Sequence, residues 1–309
     1  MEYFNWEQYL LNYPDLHGIK TKSLAVRHYH SHGIAEGRTS NSLISNFNPE
    51  QKKVVLFANV RDEPNIKEWI THHLLLGFDC IYIFDHLSVI PLEHELYNFD
   101  PRVTTIRLSG NLSKIKIFCI SLAKTIAKRI NAEWMLYLDA DEFLVLNKWN
   151  SVKELLGDFA HADLISINWL MFGTSGHVNT PDGLIIDNYT RCDRLLNPHV
   201  KSFVRPGKIV SIQNPHTYRV SNNRYSIDNK NIIGSAFVHY PVMYSECPGY
   251  IAHYYCQSEE TYRSRKTNRK NDYGTFRAFD NNIHNIHNDI ENLSIKEKYS
   301  DKIHKKLNN

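Results

Sequence analysis

Trp134-Met135-Leu136-Tyr137-Leu138-Asp139-Ala140-Asp141-Glu142-Phe143 is the stretch whose reading decides the fold. Its first half is an uninterrupted apolar run, which reads as a buried strand. The run stops at Asp139, and three carboxylates follow within four residues. If strand geometry persists, alternation puts Asp139 and Asp141 on the same side of the chain. Two carboxylates so placed suit a hard divalent cation that also holds phosphate oxygens. The rival reading is a solvated acidic turn, and the buried strand ahead of it argues against that.

The pattern on either side is alternating. Upstream, Val54–Val60 is a short apolar run with β-branched residues at both ends, again a buried strand. Pro64 suits the first turn of a helix, and Ile66, Trp69, Ile70, His73 and Leu74 follow at helical spacing. Cys80–Phe84 is a second strand ending at Asp85, and Arg102–Leu108 a third. Ile115, Cys119, Leu122, Ile126 and Ile130 stripe one face of a helix over 114–130. Downstream, Ser151-Val152-Lys153-Glu154 is a capping box, and Leu164–Phe172 is a further strand before a loop over 173–183. Strands alternating with helices predict a mainly parallel sheet flanked by helices. In such sheets ligands bind at the carboxyl ends of the strands. The polar residues at those ends are Arg61-Asp62-Glu63, Asp85-His86 and the 139–142 cluster.

Residues 1–44 have a different texture: amphipathic stretches at Trp6–Tyr13 and Leu24–His32, broken by Pro14-Asp15, predict two or three short helices. So short a piece needs a partner to pack on. Ser40–Glu50 reads as a linker to a larger domain over 45–309, whose final 20 residues read as a polar, frayed helix. The net charge of +3 gives no argument for nucleic acid as partner. No apolar run is long enough to span a bilayer. The opening Met1–Trp6 lacks the basic and apolar regions of a signal peptide. Five cysteines without CxxC spacing predict neither a disulfide framework nor a zinc knuckle. These features together predict a reduced, cytoplasmic setting, a host's cytoplasm if the source is viral.

Asp139-Ala140-Asp141-Glu142-Phe143 resembles the DxDEF motif of GT-A glycosyltransferases of the family-2-like and family-92-like group. The likeness extends in order along residues 53–270: Asn59–Glu63 with Glu68-Trp69-Ile70 and His72-His73, then Asn168-Trp169 and Phe172-Gly173. Lys201-Ser202, Arg205-Pro206 and His216 come next, and His253-Tyr254, Ser258-Glu259-Glu260 and Lys266 close it. It departs at Arg61-Asp62, where the group commonly has Lys-Asn, and at 114–116, where many relatives carry glutamine. The N-terminal residues resemble a small module attached to bacterial and viral enzymes.

The resemblance implies a GT-A fold and a metal-dependent, inverting transfer of a hexosyl or N-acetylhexosaminyl group from a UDP-sugar to a hydroxyl of a glycan or glycoprotein. It implies that Asp141 ligates Mn²⁺ or Mg²⁺ and that Asp139 holds the ribose or a metal-bound water. It supplies His253 as the ligand from the C-terminal half, with His216 and His239 as rivals. Imidazole favours Mn²⁺. Val60, Arg61, Glu63, Asp85, Lys114, Ala140 and Lys201 complete the expected donor contacts. Arg205 is a further candidate for phosphate or acceptor, and Trp169 with the 173–176 loop suits a sugar acceptor. Asp182 and Glu142 are the candidate bases. A phosphohydrolase built on the same carboxylates and a non-catalytic nucleotide- or glycan-binding module are the alternatives. Without a metal, three crowded carboxylates would repel one another, so losing one should leave stability equal or higher.

Overall fold

The computed structural model describes residues 4–16, 18–36, 38–40, 53–110, 114–212, 214–232, 236–268 and 275–308. Among these described residues nine strands form the main sheet. They are β1 (Lys53–Val60), β2 (Cys80–His86), β3 (Val103–Leu108), β4 (Ala132–Tyr137), β5 (Glu142–Leu146), β6 (Leu164–Met171), β7 (Asn197–Val204), β8 (Arg224–Ser226) and β9 (Gly249–His253). The order is β3-β2-β1-β4-β7-β6-β9-β5, with β8 on β6. β3, β2, β1 and β4 run parallel, as do β6 and β9. β7 and β5 are antiparallel to their neighbours. The sheet is thus mainly parallel and helix-flanked, as the alternating pattern predicts.

Strand alternation in β1 divides the core in two. Leu56, Ala58 and Val60 face one side, with Trp69 and Ile70 of helix α3 (Ile66–Leu75). Val55 and Phe57 face the other, with Cys119, Leu122 and Ile126 of α4 (Ile115–Arg129). That second core continues into the N-terminal helices α1 (Trp6–Asn12) and α2 (Lys22–His28) through Tyr9, Tyr13 and Ala25. Arg38 is buried there, paired with Asp15 at 2.8 Å and lying over the rings of Tyr13 and Phe118. Gly33 lies against the Tyr9 hydroxyl and leaves no room for a β-carbon. The linker expected over Ser40–Glu50 lies, from residue 41 on, outside the described residues.

Helix α5 (Val152–Asp158) begins as its capping box predicts: the Glu154 amide donates to Ser151 Oγ at 3.2 Å. The last helix differs from expectation. Ser294–Leu307, α6, is a docked element and not a frayed one, because Ile295, Tyr299 and Ile303 recur at helical spacing and are buried against the core. Among the described residues no helix is long and apolar enough to cross a membrane.

Candidate functional site

β1 is flanked by β2 on one side and β4 on the other, so a crevice opens beyond their carboxyl ends. Glu63 enters it from the loop after β1, and the acidic cluster enters after β4. The cluster is a turn and not a continuation of the strand, contrary to the alternation argument. The Glu142 amide donates to the Asp139 carbonyl at 3.0 Å, and the Asp139 amide donates to Glu142 Oε2 at 2.9 Å. The turn sends the two aspartates to different partners. Asp139 meets Lys116 of α4 at 3.0 Å and Lys201 of β7 at 3.1 Å. Asp141 meets Lys266 at 3.1 Å, while its other oxygen lies 3.6 Å from His253 Nε2 on β9. The latter separation is too long for a hydrogen bond. Glu63 is clasped by Arg265, with Nη1 to Oε1 at 3.2 Å.

Electrostatics follow from this pairing. Burial alone would raise Asp139, but Lys116 and Lys201 overrule it and hold the carboxyl well below its usual range. For Asp141 burial is likewise overruled, by Lys266 first and then by Arg265. For Glu142 complete burial, with Asp139 and Asp141 beside it, outweighs Lys201 at 3.2 Å and the Asp139 amide, and its carboxyl is pushed up to about 8. It is therefore protonated near neutrality. Burial lowers His253 to about 3, so its imidazole is neutral.

The strand that carries this turn is held from its open side. β5 pairs with β9 along one edge. Along the other, α3 supplies what a further strand would: Trp69 Nε1 donates to the Glu142 carbonyl at 2.8 Å and His72 Nε2 to the Leu144 carbonyl at 2.7 Å. The Leu144 amide donates to His73 Nε2 at 3.3 Å, and Lys298 of α6 donates to the Leu146 carbonyl at 2.6 Å. This is the physical content of the Trp69…His72-His73 pattern in the sequence. Because His73 accepts through Nε2, its proton is on Nδ1, which donates to the Trp69 carbonyl at 2.8 Å. Both rings must be neutral, and burial lowers His72 to about 4 and His73 well below its usual value.

A folded pKa below the unfolded value of about 6.5 means that the unfolded chain binds more protons as pH falls. Stability should be full above about pH 6.5 and decline toward about 4 by up to ~1.4 kcal/mol per pH unit for each histidine. His72→Gln should flatten that slope. Urea midpoints across this range measure it, and a slope unchanged by His72→Gln would refute the assignment.

The remaining candidates are spread more widely. Asp85 lies at the end of β2 with Arg107 at 2.6 Å and the amides of Leu92 and Ser88 at 2.9 and 3.3 Å on its carboxylate. Val60 and Ala140 are buried beside the crevice, and Arg61 is exposed. Lys114 is exposed at the left-handed entry to α4, and it is Lys116 that reaches Asp139. Asp182 is exposed in the 173–183 loop, and its carbonyl accepts from Asn188 at 2.8 Å. Arg205 works at the opposite end of the sheet, paired with Glu133 at 2.8 Å at the start of β4 and stacked over Trp134. His239 is exposed. Arg265 was not singled out by the sequence, where it is one cation in a basic run whose last residues, 269–271, lie outside the described ones.

A parallel half-sheet with an acidic turn at its crevice defines the class: a Rossmann-like α/β protein of the GT-A type. The profile of glycosyltransferase family 92 matches residues 126–294, more than half of the chain. The chain belongs to glycosyltransferase family 92. Among solved structures it is similar to S. aureus TarS 1–349, at 15% identity over 50% of this chain and 47% of that one, with a TM-score of 0.32. The same fragment in complex with UDP-GlcNAc matches at 14% identity over 50% and 46%, TM-score 0.32. HddC from Yersinia pseudotuberculosis matches at 11% identity over 57% and 90%, TM-score 0.34. The chain spans about half the length of the TarS fragment. No curated protein matches the sequence.

Proposed function

We propose that this chain transfers a hexosyl or N-acetylhexosaminyl group from a UDP-sugar to a hydroxyl of a glycan or glycoprotein, with inversion. The observation that carries this reading is the convergence of the Asp141 carboxylate and the neutral His253 imidazole, 3.6 Å apart and not hydrogen-bonded, at the crevice mouth. Such a pair fits a divalent cation, and the imidazole favours Mn²⁺ over Mg²⁺. Among the described residues no group of three His, Cys, Asp or Glu side chains converges as a metal site, so water and diphosphate oxygens would complete the coordination. When bound, the cation would offset charge on the leaving nucleoside diphosphate.

The protein's own residues have separate tasks in this reading. Asp139, with a lysine on either side, fixes Lys116 and Lys201 and faces the ribose or a metal-bound water. Lys266 and Arg265 exchange Asp141 and Glu63 for the diphosphate oxygens as the donor enters. Val60, Arg61 and Asp85 shape the nucleoside end, with Lys114 at its rim. Residues 1–44 act as a packing module for the catalytic domain over 45–309.

The test is a thermal-shift titration. UDP with Mn²⁺ should stabilise the protein, by about 2.7 kcal/mol at a hundredfold excess over the dissociation constant. ATP with Mn²⁺ should do so much less. The absence of any shift with UDP or UDP-sugars would overturn the donor assignment.

A further inference from the structure

Asp182 and Glu142 do not meet the needs of a base that takes a proton from an acceptor. Asp182 is exposed in a loop, and Glu142 is fully buried under its own turn. A different group is better placed. Trp169, on β6, has His253 against its ring at 4.4 Å on the donor side. His216 meets the same indole at 5.2 Å, and His199 stacks on it at 5.0 Å with planes 14° apart. His199 and His216 are 5.7 Å apart, and the exposed ring of Phe237 lies 4.5 Å from His199. A continuous aromatic wall thus leads from the Asp141–His253 pair to a partly open rim. Lys201, which holds Asp139, also lies 6.0 Å from the Trp169 ring.

The hydrogen bonds fix the imidazole tautomers. His216 Nδ1 lies 3.1 Å from the Val200 carbonyl, which can only accept, so Nδ1 carries the proton. His199 Nδ1 donates in the same way to Asn197 Oδ1 at 2.8 Å. In both rings Nε2 is left with a lone pair and without a hydrogen-bond partner among the described residues. The Trp169 indole N–H is buried, also without a partner among them. Burial, then Lys201, lowers His216 to about 4, with Asp139 acting in the opposite sense. His216 is therefore unprotonated at neutral pH.

We propose that His199, His216 and Phe237, backed by Trp169, form the acceptor subsite for a pyranose ring, and that His216 Nε2 takes the proton of the attacking hydroxyl. The proposal rests on the sugar-transfer reading above. The O–H proton passes to Nε2 while the oxygen forms its bond to the anomeric carbon. The bond from that carbon to the diphosphate oxygen breaks, its electron pair leaving with the diphosphate, and the imidazolium then releases its proton to water. Imidazole faces and an aromatic ring suit the apolar face of a pyranose, and the lone pair suits its hydroxyl.

The subsite is tested without donor. Saturation-transfer NMR with the methyl β-glycosides of galactose, glucose and N-acetylglucosamine should show contact with at least one sugar. His199→Ala combined with Phe237→Ala should weaken that contact by about tenfold. No contact in the wild type, or none lost in the variant, overturns the subsite. The base is tested by turnover of UDP-sugars onto the bound glycoside with Mn²⁺. His216→Gln and His216→Asn should lower kcat about 100- to 10,000-fold, with the melting temperature and UDP affinity unchanged. A kcat within about threefold of wild type in either folded variant overturns the assignment. A wild type that contacts the glycoside but does not bind UDP would overturn the donor reading and leave the subsite standing.

Discussion

Asp141→Asn is expected to remove the stabilisation by Mn²⁺ and UDP and to lower turnover by at least about a hundredfold. The charge stabilisation at stake is worth several kcal/mol, and each 1.36 kcal/mol is about tenfold in rate. The side chain keeps its shape but loses the charge that faces His253 and Lys266. The effect on the protein without ligand is opposite to what crowded carboxylates suggest. Asp139 and Asp141 each have a cation of their own and Glu142 is protonated near neutrality, so there is little repulsion to relieve. A carboxyl held below its unfolded pKa stabilises the fold above that pKa, and the asparagine forfeits this at neutral pH. Lys266 is partly exposed and can turn to water, so the loss should be modest, about 1–2 kcal/mol. Melting temperatures of both proteins, with and without Mn²⁺ and UDP, measure the two effects together. A variant with near wild-type turnover would end the metal assignment for Asp141.

Lys201→Met should have the largest effect on stability. The ammonium group is almost wholly buried, with Asp139 at 3.1 Å and Glu142 at 3.2 Å. Removing one partner of a buried ion pair leaves the other uncompensated, at about 3–5 kcal/mol. Here Asp139 keeps Lys116, and Glu142 already carries a proton near neutrality, which places the expected loss near the lower end of that range. Adding Asp139→Asn removes the charge left with one partner fewer and should recover about 1 kcal/mol. Urea denaturation of the two single variants and the double variant gives the coupling directly. A Lys201→Met protein within about 1 kcal/mol of wild type would show that the lysine is not the electrostatic keystone of this turn.

The sequence makes some elements plain and hides others for physical reasons. β1, β2 and β4 are mostly apolar runs, β6 is apolar but for Ser166 and Asn168, and α4 carries a full helical stripe, so the apolar pattern identifies them. β5 is hidden because it starts within the acidic motif at Glu142, and a polar start masks a strand whose five residues are all buried. β7 opens with Asn197-Pro198-His199, and β9 is five residues beginning with glycine. Their membership in the sheet depends on pairing with distant strands, which local periodicity cannot report. In α6 the signal was present, since Ile295, Tyr299 and Ile303 are spaced four apart, but the surrounding charges obscured it.

The site shows the same division. Asp139, Asp141, Lys201 and His253 were legible as a resemblance, and the fold brings them together. Their counter-ions were not. Glu63 and Arg265 are 202 residues apart, and no local pattern pairs them. Lys114 and Lys116 differ by two positions at a helix entry, and only the left-handed turn at Lys114 decides which one points inward. The sequence offers His216 as a possible metal ligand, but the Val200 carbonyl that fixes its tautomer is a tertiary contact.

The covering of β5 by side chains of α3 and α6 has a consequence beyond the site. A strand at the end of a sheet presents unpaired amides and carbonyls to any extended segment that meets it, the usual route to intermolecular β-pairing and aggregation. Here Trp69, His72, His73 and Lys298 already occupy those groups at residues 142, 144 and 146. The same side chains that set the acidic turn in place thus also stop this border of the sheet from recruiting a second chain.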